Sequence, residues 1–261
     1  MSPYIHQLID WPSFTFKLDS LVNLLSDARI LKGRLLGRMQ ALEFDLRNEA
    51  TLETLTLEVL KSTEIEGEFL NADQVRSSIA RRLGIALAGA VDSNRHVDGM
   101  VEMMLDATKQ CFSPLTVERL FNWHAALFPT GRSGMYKITE ASWRVDSTGP
   151  MQVVSDALGK EKVHFQSPDS CLLESEMDRF LHWINNNKDN EPLLKAAIAH
   201  LWFVTIHPFE DGNGRITRAV TEMLLAHSDQ STQRFYSMSA QIRKESSTTL
   251  FLKKHKKEAL K

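Results

Sequence analysis

The sequence predicts an all-α fold: a helical core, a helical N-terminal region and one small β-hairpin. Three observations carry that expectation. Between Pro12 and Pro114 the chain contains no proline, and much of the interval is Leu-rich with interspersed charges, as long helices require. Residues 193 to 206, LLKAAIAHLWFVTI, are apolar on nearly all sides, which suits a helix running through the centre of the fold. One place reads as β structure: MQVV and KVHF are short strand-like runs separated by SDALGKE and bounded by Gly149-Pro150 and Ser167-Pro168.

In chain order, a helical stretch is expected from Leu18 to about Leu60, with further helices over 73–90 and 97–110. In SPLTVERLFNWHAALF, Ser113 is the expected cap and Pro114 the first helical residue of the next helix. Pro129 to Pro150 is richer in Gly, Ser and Thr and reads as loop, followed by the hairpin at about 151–166. Residues 172–186 and 191–206 return to helix, and Pro208 should end the second of these at His207. Ile216, Ala219, Val220, Met223 and Leu224 then follow i, i+3, i+4, i+7, i+8 spacing, so another helix starts near Gly214. The organisation expected is a helical region over 1–95, a core over 96–242 and a basic tail over 243–261.

Composition narrows the function classes. With 43% hydrophobic against 25% charged residues, the 261-residue chain can bury a sizeable core. A net charge of −2 gives no electrostatic case for nucleic acid or an anionic membrane as partner. Cys111 and Cys171 are too few for a disulfide scaffold and lack C-x-x-C spacing, which fits a reducing compartment. MSPYIHQLIDWPSF has neither the basic flank nor the apolar run of a signal peptide, and AAIAHLWFVTI falls short of the ~18 apolar residues of a membrane span. A cytoplasmic location is therefore expected. His200 and His207 could share a helical side, but without H-E-x-x-H or a third ligand they do not describe a zinc site. No G-x-x-x-x-G-K-[ST] or G-x-S-x-G occurs.

The chemistry concentrates in FVTIHPFEDGNGRITRAV, residues 203–220. Gly212-Asn213-Gly214 supplies backbone freedom at a helix N-terminus, where free amides and the helix dipole attract anions. Arg215 and Arg218 stand in the first turn of that helix, where the dipole disfavours cations by about 0.3 to 1 kcal/mol each. A polyphosphate held by the amides and gripped by both guanidiniums resolves the conflict. Asp211 is the kind of oxygen ligand Mg²⁺ takes beside phosphate oxygens, and His207 can remove a hydroxyl proton near neutral pH. Upstream, Leu52, Leu55, Val59, Ser62 and Glu66 share an inward-facing stripe, so Glu66 needs a cation. It lies at the carboxyl end of its helix, with Gly67 as the stop, and Arg218 could supply that cation.

HPFEDGNGR followed by ITR resembles, at every defined position, the Fic (Fido) signature His-Pro-Phe-x-[Asp/Glu]-Gly-Asn-Gly-Arg-x-x-Arg. The resemblance implies an all-α core, ATP with Mg²⁺, and transfer of AMP to a Ser, Thr or Tyr hydroxyl of a protein. It implies His207 as general base, Phe209 as the loop's anchor and Asp211 as metal ligand. Gly212, Asn213 and Gly214 would cradle phosphates, and Arg215 and Arg218 would hold the β and γ groups. The hairpin becomes a flap, in which Val153, Val154 and Ser155 position an extended target segment by strand addition. STEIEG, residues 62–67, resembles the family's inhibitory motif [Ser/Thr]-x-x-x-Glu-[Gly/Asn], which implies a class II member restrained by Glu66. YIHQLIDWPSFTF is similar to the N-terminal region of a bacterial subgroup, and Tyr236 in RFYSMSAQ is a candidate for part of an adenine wall, or else a packed aromatic. The implied partners are a protein substrate, the chain itself included, and a second copy in a homodimer. Some members also remove AMP, and an ATP-binding regulator without appreciable turnover is the alternative.

Overall fold

The structure, a computed structural model, describes residues 4–146, 149–155, 162–187 and 191–245. It is all-α with two short antiparallel hairpins. The expected first stretch is two helices, α1 (Leu18–Gln40) and α2 (Phe44–Ile65), and neither proline nor glycine marks the break at residues 41–43. None of α1 is buried, and Leu24 and Leu31 remain 65% and 64% exposed. Its apolar spacing correctly announces a helix but says nothing of how deep that helix lies.

α3 (Ala72–Leu83) is capped by Asn71, whose Oδ1 accepts from the Gln74 amide at 3.0 Å. It stops well before residue 90, because Gly84 takes a left-handed conformation and the Ile85 amide turns back to the Ala80 carbonyl. α4 spans Arg95–Lys109 and α5 spans Val117–Leu127. The expected cap of α5 is corrected: Thr116, not Ser113, accepts from the Arg119 amide at 3.1 Å. Pro114 stays outside the helix, and the side chain of Asn185 brackets Leu115, accepting from its N–H and donating to its carbonyl.

The Gly-rich stretch after α5 contains a hairpin that periodicity is too short to reveal. β1 (Arg132–Ser133) pairs with β2 (Tyr136–Lys137) across Gly134-Met135, with Gly134 at φ 56°. The anticipated hairpin follows as β3 (Gln152–Ser155) and β4 (Lys162–Gln166), with a register shift between Val153 and Val154. Its turn, residues 156–161, lies outside the described residues, as does 246–261 of the expected tail.

α6 (Leu173–Asn186), α7 (Pro192–Ile206) and α8 (Asn213–Ser228) complete the core, and residues 238–245 are again helical. α7 packs chiefly on α8, which also meets α4, α5 and α2. The central element is α8 rather than α7. From Asn213 to Ala226 every residue except Gly214 is buried, whereas α7 leaves Leu201 44% exposed. An all-apolar run has no preferred face, so its composition cannot say which side meets the core. The side of α7 left over lines an apolar groove with α1, through Leu31, Leu35, Leu193, Leu201 and Val204.

Candidate active site

His207 owes its position to the end of α7. Pro208 has no N–H and disfavours helix at the residue before it, so the chain leaves the helix at His207 in the left-handed region, φ 53°, ψ 58°. A non-glycine residue there is uncommon and needs support. Its imidazole Nδ1 lies 3.2 Å from the Val204 carbonyl, which can only accept, so Nδ1 carries the proton and Nε2 keeps its lone pair. Burial holds the ring below its ordinary value of 6.5; the Val204 carbonyl opposes this, Arg144 adds to it, and the Glu66 and Asp211 carboxylates oppose it. Near neutral pH His207 is an uncharged base.

The loop from 207 to 213 is braced from inside. Phe209 is fully buried and stacks on His124 at 4.4 Å, with Trp143 and Phe203 around it. Asn213 closes the loop with its own amide: Oδ1 accepts from the Phe209 N–H at 2.9 Å, and Nδ2 donates to the Phe209 carbonyl at 2.8 Å. Its buried side chain thereby holds the loop closed. Gly212 is left-handed at φ 80°, and a Cβ there would meet Phe128 at 2.9 Å. At the first turn of α8 the leading N–H groups have no partner within the helix.

The upstream acid reaches this helix end. α2 finishes in a Schellman turn: Gly67, at φ 82°, donates to the Glu64 carbonyl, and the Glu68 amide donates to the Thr63 carbonyl at 3.1 Å. The turn throws two carboxylates toward α8. Glu66 Oε1 accepts from Arg218 Nη2 at 2.7 Å, and Arg218 also donates to the hydroxyl and carbonyl of Ser62. A Cβ placed on Gly214 would sit 2.2 Å from Glu66 Oε1, so the carboxylate rests against the N-terminal turn of α8. Glu68 Oε2 accepts from Arg215 Nη1 at 2.8 Å and lies 3.3 Å from His96 Nε2. Both guanidiniums are buried, at 2% exposure for Arg215 and 6% for Arg218. Arg215 lies over the Phe128 ring at 5.0 Å, with Nη2 3.8 Å from Asp211. Asp211 accepts from the Gly212 amide at 2.6 Å and from the Ser133 hydroxyl on β1, leaving its side chain 42% exposed.

The structure thus brings His207, Asp211, Gly212, Asn213, Gly214, Arg215, Arg218 and Glu66 together. It places Tyr236 elsewhere. That hydroxyl donates to Asp229 at 2.8 Å, the ring carries the Arg234 guanidinium at 4.3 Å, and the residue lines the groove beside α1. Neither His207 nor Arg218 lines that groove, so Tyr236 fits the packed aromatic rather than the adenine wall. Val153 is exposed, as a target-facing strand needs, while only the backbone of Val154 and Ser155 is described.

Three residues around the site were missed. Glu68 stood two positions beyond Glu66 in the legible EGE stretch. His124 is fully buried and held uncharged, burial pushing its pKa down to about 4, and it accepts from the Ala141 amide at 3.1 Å. Arg144 is 3% exposed and donates from Nε to the His207 carbonyl at 2.8 Å. Neither of the last two belongs to a local pattern that sequence spacing could show.

Residues 114–225 match the Fic/DOC family model, and residues 4–85 match a domain of unknown function, DUF4172. The protein adenylyltransferase Fic of Drosophila mojavensis is 49% identical over 51 residues, 19% of this chain and 10% of that protein. The matched stretch is thus about a tenth of that relative's length. Among solved structures, a Fic family protein from Desulfovibrio desulfuricans G20 aligns with TM-score 0.54 and 24% identity, covering 83% of this chain and 60% of that one. A Fic domain containing signaling protein from Bacteroides thetaiotaomicron aligns with TM-score 0.56 and 20% identity, covering 75% and 71%. At these identities the structures speak for the fold. The Fic/DOC family model is matched across α5 to α8, where the His207 loop and both arginines lie, so this stretch of the chain carries a Fic/DOC domain.

Proposed function

We propose that this chain is a protein adenylyltransferase, which transfers AMP from ATP to a Ser, Thr or Tyr hydroxyl of a protein and is restrained by its own Glu66. The observation that carries this reading is a filled anion seat beside an uncharged base. The Glu66 carboxylate lies against Gly214 at the start of α8 and is held by Arg218, with neutral His207 at the end of α7. An acid so placed stands where the helix terminus and the guanidinium would bind phosphate.

His207 Nε2 takes the proton as the target oxygen attacks the α-phosphorus. One P–O bond forms, the bond from the α-phosphorus to the bridging oxygen breaks, and pyrophosphate leaves with the electron pair. Arg218 and the amides around Gly214 hold the polyphosphate while charge moves onto it. Asp211 is the residue that would hold Mg²⁺. Among the described residues no group of three or more His, Cys, Asp or Glu is poised for an ion. A single half-exposed carboxylate fits Mg²⁺, which takes its remaining ligands from water and phosphate. When bound, the ion neutralises charge on the phosphates. β3 and β4 form a two-stranded antiparallel sheet, to which an extended target segment can add as a further strand.

Wild type, Glu66→Gly and Glu66→Gly/His207→Ala are incubated with α-labelled ATP and Mg²⁺, and label on protein is followed. Strong labelling in the single variant alone supports the reading. ATP binding without labelling in that variant would leave an ATP-binding regulator in its place.

A further inference from the structure

Arg144 is a buried guanidinium that stands apart from the seat on α8. It lies in the segment before β3 and is 3% exposed, yet it faces the catalytic loop rather than the seat on α8. Four contacts define it. Its amide donates to the Pro208 carbonyl at 2.8 Å, and Nε donates to the His207 carbonyl at 2.8 Å. Nη2 donates to the Pro168 carbonyl, and Nη1 pairs with Asp146.

The last two contacts are the bases of the flap. Pro168 follows β4, and Asp146 precedes β3; the Ser170 amide donates to Asp146 Oδ2 at 2.6 Å. The Ser167 amide donates to the Met151 carbonyl at 3.0 Å, which closes the hairpin's foot. One planar fork therefore joins both roots of the flap to the carbonyl of His207, where the chain turns out of α7, while the backbone amide of the same residue holds the carbonyl of Pro208. The His207 carbonyl belongs to a residue in the left-handed region, where a histidine does not rest unaided.

We propose that Arg144 is a positioning residue that sets the His207 ring relative to the flap, so that the base and the target strand keep one register. This rests on the transfer reaction proposed above. The guanidinium touches no reacting atom; it acts through the His207 carbonyl it holds and through the flap roots.

The test uses the full chain carrying Glu66→Gly as parent, with Arg144→Met and Arg144→Lys added. A base misplaced by about 1 Å costs on the order of 100-fold in rate, so kcat for AMP transfer falls by that order in Arg144→Met. The KM for ATP stays within about twofold, because the seat on α8 is untouched. Arg144→Lys keeps a charge and one donor direction and recovers part of the rate. In parallel, the His207 imidazole resonance is titrated by NMR: it shifts in Arg144→Met, and its midpoint moves to higher pH because a nearby positive charge is gone.

An Arg144→Met protein that transfers AMP at the parent rate overturns the proposal. So does a rate loss matched by an equal loss of ATP affinity with the His207 resonance unmoved, which marks an ordinary structural arginine. Should Arg144→Met fail to fold, Arg144→Lys carries the same comparisons, with a smaller kcat loss at constant KM expected. Should the parent transfer no AMP, the proposed function fails by itself, and an unmoved His207 resonance in Arg144→Met would separately overturn this inference.

Discussion

Glu66 and Glu68 differ in where they sit and in what they hold. Their side chains are similarly exposed, 36% and 42%, but Glu66 rests against Gly214 on an arginine already bound to Ser62, whereas Glu68 shares its oxygen between Arg215 and His96. A half-exposed pair is worth little in water, about 0.2 to 1 kcal/mol. Glu68→Gln should therefore tighten ATP binding by only about two- to fivefold, and the gain should fade as salt is raised. Calorimetric titration of wild type and variant at two ionic strengths reads this; a gain as large as that of Glu66→Gly would contradict it. His124 makes a different prediction. Its folded pKa is depressed to about 4, so below the ordinary 6.5 the unfolded chain binds a proton that the folded chain refuses. The stability it supports is present above 6.5 and is lost as pH falls toward 4, about 2 kcal/mol of it by pH 5. Urea unfolding at pH 7 and pH 5 should show a difference that shrinks by roughly that amount in His124→Gln. An equal pH dependence in both proteins would count against the assignment.

At the scale of elements, caps decide what periodicity leaves open. Thr116→Ala should destabilise the protein by about 1 kcal/mol, while Ser113→Ala should change it little, because only Thr116 accepts from an α5 amide. Chemical denaturation of the two variants separates the observed start of α5 from the expected one. Gly67→Ala tests the turn that aims Glu66 at α8. A left-handed alanine costs roughly 1 to 2 kcal/mol, and relief by unwinding should loosen Glu66 and raise basal labelling. The turns also explain what the sequence disclosed. Gly67 as helix stop, Pro208 as the end of α7 and the spacing from Ile216 to Leu224 were each legible, because one residue type or one period dictated the geometry. The break between α1 and α2 and the two-residue strands β1 and β2 were not, since local propensity there is nearly neutral. Arg144 and His124 were hidden for another reason: their importance comes from partners far along the chain.

Across the whole molecule, the segment after α8 is strapped to the core by buried charge. Glu58 accepts from Ser237 and from the amide and hydroxyl of Ser239, while Arg234 pairs with Glu222 and Asp229, and Lys32 of α1 reaches Asp229 at 3.1 Å. Burial pushes the Glu222 carboxyl up, and the carboxylates around Arg234 keep that guanidinium charged. Removing one member strands the other. Arg234→Met should cost about 3 to 5 kcal/mol, and the double variant with Glu222→Leu should recover much of it, a coupling that a double-mutant cycle measures. Strict additivity would mean that the pair does not act as a unit. Glu58 belongs to α2, the helix that Glu66 caps, so the strap and Glu66 share one element.

The central claim is that the first turn of α8 seats a polyphosphate which Glu66 now excludes. Its most direct test is a crystal structure of Glu66→Gly with ATP and Mg²⁺. The account predicts phosphate oxygens on the amides around Gly214, with Arg218 turned to the terminal phosphate and His207 beside the α-phosphate. A nucleotide bound away from α8, or Arg218 still joined to Ser62 with the amides unused, would contradict it.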